Sequence, residues 1–222
     1  SVQLSAISKQ LKANSQSLLT VGFNRRFSPL AQSLSSFLFP RNEPLHAHYR
    51  INAGYLPLNH WTQDEQLGGG RIIGEACHFI DMRAFLVGAA PVSVTAHALP
   101  NGGKYREDNV SMTFTFPDGS LGVVDYLANG DKSSPKERLE VFCEGMIAVL
   151  DDYVSLTTVK DGKKKVESIA QDKGWKGEMV AFAKAIKGES EAPIPYEQLI
   201  AVTRSTFAAV ESIRSKCMVE IK

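Results

Sequence analysis

Between residues 92 and 168 short β-type runs alternate with turn signals too tight for a crossover, and this alternation limits the fold more than any other feature. Val92 to Leu99 and Val110 to Phe116 are rich in Val, Thr and Phe, whose branched or aromatic side chains suit a pleated surface. Pro117-Asp118-Gly119 marks a turn, and Ser120 to Leu127 reads as the return strand. Leu139 to Cys143, Met146 to Leu150 and Ser155 to Lys160 continue the series, with turns at Glu144-Gly145 and Asp161-Gly162. Strands joined this closely pair antiparallel, because a parallel connection needs a dozen or more residues. The basic run Lys163-Lys164-Lys165 reads as the solvated end of a hairpin, with phosphate binding the poorer alternative.

Helical patterns lie on both sides of this block. Ser28-Pro29 suits an N-cap and first turn, followed by an apolar stripe of Leu30, Leu34, Phe37 and Leu38. Leu45 to Asn52 reads as a strand, residues 53–67 as a long loop, and about Ile72 to Val87 as a helix that Gly88 ends. Trp175, Met179, Phe182 and Ile186 recur at helical spacing, as do Leu199, Val202, Thr206, Ala209 and Ile213 after Pro195. Val219 to Ile221 reads as a last strand. The expected fold is α+β: an open, mainly antiparallel sheet with helices on one face. Residues 4–14 read as a helix and Ser17 to Phe23 as a buried strand, a piece of a βαβ unit that cannot form a parallel sheet alone. The expected division is therefore a C-terminal remnant of a missing Rossmann domain over 1–23 and an α+β domain over 24–222.

Composition closes off several function classes. A formal net charge of +1 gives no field to attract nucleic acid or an anionic membrane. No apolar run approaches the roughly 20 residues that span a bilayer, and the N-terminus does not read as a signal peptide. Three widely spaced cysteines form neither a CxxC pair nor a disulfide framework, so a reducing, cytoplasmic setting is expected.

Two clusters carry the candidate chemistry. In Gly68-Gly69-Gly70-Arg71-Ile72-Ile73-Gly74-Glu75-Ala76-Cys77-His78-Phe79-Ile80-Asp81, helical spacing puts Glu75, His78 and Asp81 near one line. Two flanking carboxylates are expected to help His78 keep its proton and so act as proton donor and acceptor near neutral pH. The plainer alternative is a polar helix face with a structural histidine. Cys77 shares a neighbouring face with Ile73, Ile80 and Ala84 and reads as core. The glycines do not form a dinucleotide fingerprint, since position 73 is Ile and no strand precedes them. The second cluster is Gly22-Phe23-Asn24-Arg25-Arg26-Phe27-Ser28-Pro29, where the arginines either hold a carboxylate or phosphate or form ion pairs at a hinge. His46, His48, His60 and His78 lack metal-ligand spacing, so no metal is expected. Tyr55 and Trp61 either line a pocket or pin their loop to the core.

Together these motifs resemble the glucose–fructose oxidoreductase / inositol dehydrogenase / MocA family of NAD(P)-dependent enzymes acting mostly on sugars, cyclitols and related polyols. The wording Asn-Arg-Arg and Gly-Glu-x-Cys-His resembles most the branch fused behind a zinc-type alcohol dehydrogenase-like domain. The resemblance implies a Rossmann domain before this chain, ending in a Glu-Lys-Pro motif that is not found here. It implies His78 as catalytic acid/base and Asn24 and Arg25 near the nicotinamide and substrate; Arg26, Tyr55, Trp61 and Asp81 are the further side chains expected to bind substrate. The family often has Asp four residues before the histidine; here that position is Gly74, and Glu75 either takes over the role or sits on the helix surface. NAD or NADP is expected in the full-length protein and none on this chain alone, which is expected to be inactive. A homodimer through the sheet is implied. The alternatives are a non-catalytic binding or dimerisation module, which Gly74 favours, and a metal-dependent hydrolase using His46 and His48.

Overall fold

The structure is a computed structural model that describes residues 18–222; the helix expected over 4–14 lies outside them. Nine strands among the described residues form one open sheet. They are β1 (His46–Asn52), β2 (Ser93–Ala98), β3 (Asn109–Thr115), β4 (Leu121–Leu127), β5 (Glu137–Cys143), β6 (Met146–Asp151), β7 (Ser155–Lys160), β8 (Lys163–Ser168) and β9 (Val219–Glu220). Their order is β8-β7-β6-β5-β1-β4-β3-β2-β9. Every pair is antiparallel except β1 with β4, where Ala47 faces Gly122 and Tyr49 faces Val124. That pair can be parallel because the chain between them is long enough to cross over. At Glu144-Gly145 and Asp161-Gly162 both turn residues have positive φ (47° and 73°, 51° and 69°), which matches the twist of the strands they join.

The Lys163-Lys164-Lys165 run starts directly after the Asp161-Gly162 turn, at the exposed turn end of the β7–β8 hairpin as expected, and forms the first half of β8, the sheet's edge strand. Its side chains are mostly exposed, so no apolar alternation marks it, and lysines suit an edge that must not recruit another chain.

Of four helices, α1 (Pro29–Leu38), α2 (Cys77–Val87), α3 (Trp175–Ile186) and α4 (Tyr196–Ser215), the first, second and fourth pack on one face of the sheet and α3 packs on the 3₁₀ turn Asn24–Phe27. The sheet residues that meet them alternate strictly: Ala47, Tyr49 and Ile51 on β1, Val124 and Tyr126 on β4, Leu139 and Val141 on β5 are all buried. Leu30, Leu34, Phe79, Leu86, Leu199 and Val202 supply the helical side of the same core. On the opposite face Leu121, His46, Phe142 and Ile147 stand side by side across four strands, all exposed.

Residues 18–23 are not the expected strand. They pair with no strand among the described residues, and a strand without a ladder partner has unsatisfied backbone groups on both edges. The chain passes from them into a 3₁₀ turn, Asn24–Phe27, that precedes α1. Gly174, at the N-cap of α3, fixes the position of that turn: its φ is +89°, and a Cβ there would lie 2.2 Å from the Asn24 carbonyl oxygen and 2.5 Å from the Ser28 nitrogen. Gly174→Ala is therefore expected to cost about 2 kcal/mol or more, since it combines left-handed strain with a backbone clash. The measurement is a lower urea midpoint at unchanged slope; a midpoint equal to wild type would show that the 24–28 segment yields freely.

Candidate active site around His78

The expected single α-helix from Ile72 begins instead with a π-helical turn, Ile72–Ala76, that leads into α2. Such turns break α-helical register and are frequent at functional sites. Glycines let the preceding loop pack closely beside this turn. Residues 61–68 close over this turn so tightly that a Cβ on Gly68 would lie 2.5 Å from Thr62 Cα, and one on Gly74 would lie 3.0 Å from the Gly68 carbonyl oxygen. An aspartate at 74 would have to push that carbonyl aside.

The straight line of Glu75, His78 and Asp81 is consequently replaced by three separate environments. Glu75 turns to the end of the sheet, where it accepts from Lys136 Nζ (2.7 Å), the Tyr126 hydroxyl (2.5 Å) and Arg71 (3.1 Å). Asp81 is fully buried and takes a two-pronged ion pair from Arg26, at 2.5 and 3.0 Å. His78 stays partly exposed, edge-to-face with Phe23 at 5.7 Å, and its Nδ1 is buried with no partner among the described residues.

The charge state of His78 is opposite to the expected one. Burial, and next the guanidinium of Arg25, push its pKa down to about 4, so the ring is uncharged at neutral pH. The carboxylates cannot reverse this because each has its own cations. Burial alone would raise Glu75, yet Lys136, the Tyr126 hydroxyl and Arg71 together hold it at about 2. At neutral pH Glu75 therefore carries no proton to give. Burial raises the Cys77 thiol to about 12, in keeping with a place against the core.

The 3₁₀ turn supports this centre from beneath. Arg25 makes two bonds to Glu137, at 2.7 and 3.0 Å, with its guanidinium 4.5 Å from the centre of the Phe79 ring. Glu137 also accepts from the Tyr49 hydroxyl (2.5 Å) and Lys173 (2.8 Å), and these partners outweigh burial to hold it at about 2. Asn24 donates to the Lys173 carbonyl and accepts from Arg25. Asn24, Arg25, Arg26 and Asp81 are thus buried and satisfied internally, which does not fit direct contact of those side chains with a cofactor or substrate. Tyr55 packs against Tyr105 and Lys104, and Trp61 stands beside His60 with 61% of its surface exposed; the geometry joins neither to the His78 cluster. His48 bonds Asp125 at 2.7 Å, and no group of three or more His, Cys, Asp or Glu among the described residues is placed to hold a metal ion.

Sequence reasoning missed Glu137, Lys136 and Tyr126. A signal for Glu137 was present: it shares the inward parity of Leu139, Val141 and Cys143, so it is a carboxylate on the buried face of an apolar strand. Lys136 and Tyr126 meet Glu75 only across 61 and 51 residues of chain, and no local pattern shows this.

These shifts give acid sensitivity a definite sign. Where a folded pKa is depressed the unfolded chain binds more protons, so stability is lost as pH falls. His78 acts between its ordinary 6.5 and about 4, and Glu75 and Glu137 between their ordinary 4.5 and about 2. Each contributes a slope of up to about 1.4 kcal/mol per pH unit within its window. Asp81, which burial raises from its ordinary 3.8 to about 6, acts with the opposite sign between those values, so the His78 contribution is read as a difference. The urea midpoint of wild type relative to that of His78→Gln should fall between about pH 6.5 and 4, while the loss from Glu75 and Glu137 below 4.5 appears in both proteins. A difference that does not change with pH would remove His78 as a source of acid sensitivity.

Comparison with known proteins follows the architecture. Residues 43–148 match the family model described as the GFO/IDH/MocA C-terminal domain. The chain superposes on an oxidoreductase domain protein of Kribbella flavida with a TM-score of 0.80 at 18% identity, covering 100% of this chain and 71% of that one. An oxidoreductase of Agrobacterium radiobacter, in complex with NAD+, L-tartaric acid and magnesium, gives 0.79 at 14% identity, covering 98% and 70%. A UDP-N-acetylglucosamine 3-dehydrogenase of Acidithiobacillus ferrooxidans gives 0.74 at 17% identity, covering 96% and 66%. At these identities the likeness is one of fold. A search of curated proteins finds no match. No described helix is long and apolar enough to cross a membrane.

Proposed function

We propose that residues 24–222 are the substrate-side domain of an NAD(P)-dependent oxidoreductase acting on a sugar, cyclitol or related polyol, with His78 as the group that moves the proton. The observation that carries this reading is a half-buried histidine held uncharged, with one unpartnered buried ring nitrogen, at the end of the sheet beside a π-helical turn. An uncharged imidazole takes the hydroxyl proton of a carbinol as its carbon is oxidised, and returns it in the reverse direction. The hydride itself goes to a nicotinamide. The buried side chains of Asn24 and Arg25 do not serve as its cradle, so the reading assigns the cofactor to a nucleotide-binding domain preceding residue 24. The similar structures support this, since about 30% of each lies outside the part that this chain covers, and one of them is in complex with NAD+. The motif wording supports the branch fused to a zinc-type alcohol dehydrogenase-like domain.

The uncovered face of the sheet is read as a homodimer contact. Leu121, Phe142 and Ile147 lie exposed across strands β4, β5 and β6, with the more charged row of Arg50, Asp125, Arg138 and Asp151 at the far end. The test of the enzymatic reading is calorimetry with NAD+ and NADP+ on this chain and on the protein extended through its upstream coding sequence. Binding by the extended protein alone is the expected result. Binding by neither would leave the sheet as a partner-binding surface and end the oxidoreductase reading.

A further inference from the structure

Glu75 and Asp81 lie three residues to either side of His78; Asp81 is held by Arg26, and Glu75 makes no hydrogen bond to the imidazole among the described residues. The reason is Lys136, the residue just before β5. Its ammonium lies 2.7 Å from Glu75 Oε1, while Tyr126 and Arg71 both bond Oε2. Arg71 and Tyr126 are held from behind: Arg71 donates to the Gly54 carbonyl and lies 3.7 Å from Asp108, and its guanidinium stacks 5.0 Å from the Tyr126 ring. Lys136 differs from both. Its side chain is 39% exposed, and Glu75 is the only carboxylate it pairs with among the described residues. It is therefore the one movable member of the clamp, standing where the site opens to solvent.

We propose that Lys136 is a positioning residue for His78, which by direct contact with Glu75 keeps that carboxylate neutralised and turned towards Tyr126 and Arg71 instead of the imidazole. The groups around the ring are Arg25 from the 3₁₀ turn, Glu75 from the π turn, and Glu137 and Lys136 from the β5 end; Arg25 and Lys136 disfavour a proton on it, and the two glutamates favour one. Glu137 is fixed by four hydrogen bonds from three partners, which leaves the Lys136–Glu75 contact as the adjustable balance. Removing the ammonium leaves a partly uncompensated carboxylate one helical turn from His78, so the ring gains a proton more easily. The inference deepens the proton-transfer reading and takes its functional meaning from it, but its measurement needs neither cofactor nor substrate.

The experiment is an NMR titration of the His78 ring in this chain. Wild type is expected to titrate near 4. Lys136→Met should raise the midpoint by about one pH unit, Lys136→Arg should hold it at the wild-type value, and Lys136→Met on a Glu75→Gln background should produce a clearly smaller rise, the part due to the ammonium's direct repulsion of the ring. A merely structural lysine would move none of these, and an unchanged midpoint in a folded Lys136→Met protein overturns the proposal. If that variant does not fold, Glu75→Gln alone decides: the midpoint must fall below wild type, and one that stays put overturns the proposal equally. Should the titrations behave as expected while the extended protein binds no nicotinamide cofactor, the clamp stands and only the oxidoreductase reading is lost.

Discussion

His78→Ala, in a protein that carries this domain with its nucleotide-binding half, is expected to lower kcat by about 10²–10⁴-fold, the usual contribution of a positioned acid/base. kcat/KM should fall by the same factor, because proton transfer is an interaction of the transition state and not of ground-state binding. The fold should survive. The ring's Nδ1 is buried without a partner, so alanine removes a desolvated polar atom that costs stability, and this offsets the lost edge contact with Phe23. Steady-state kinetics together with a thermal melt check both halves of the expectation. Full turnover in the variant would remove His78 from the chemistry and favour the non-catalytic module.

The largest stability effect is expected at Glu137. Its carboxylate is 1% exposed and accepts from Arg25, Tyr49 and Lys173 at once. Glu137→Leu leaves the Arg25 guanidinium buried over Phe79 without a counter-charge, and breaking one side of such a pair costs about 3–5 kcal/mol. The double variant Arg25→Met/Glu137→Leu should recover much of that loss, since no lone charge then remains. Lys173 keeps Asp152 as a second partner at 3.1 Å in either case. Urea unfolding of the four proteins in the cycle measures the coupling. A Glu137→Leu midpoint close to wild type would show that the buried pair holds little. The same cycle bears on function, because Phe79 is the chain neighbour of His78, and Arg25 is the cation that most lowers the pKa of His78.

Much of the architecture was legible in advance for a local reason. A strand shows itself in alternation, a helix in a stripe and a turn in one or two residues, so β2 to β7 and all four helices among the described residues were marked by signals a few residues long. β8 escaped because an exposed edge strand has no buried face to alternate with. The strand expected over 17–23 failed for the converse reason: Leu-Leu-Thr-Val-Gly-Phe has the composition of a buried strand, but a strand exists only where another chain segment completes its hydrogen bonds, and none of the described residues does so here.

The site divides the same way. The sequence by itself determined that His78 sits on a helix that follows a glycine-rich turn, and that a helix starts directly after Asn24 to Phe27, because both depend on neighbours along the chain. Only the tertiary structure decided what those residues do. Arg25 and Arg26 became interior ion pairs with Glu137 and Asp81 across 112 and 55 residues. Glu75 went to Lys136, and His78 lost its charge instead of keeping it. Electrostatic energy depends on distance and burial in three dimensions, and the partners that set it here come from strands that no helical spacing can bring into view.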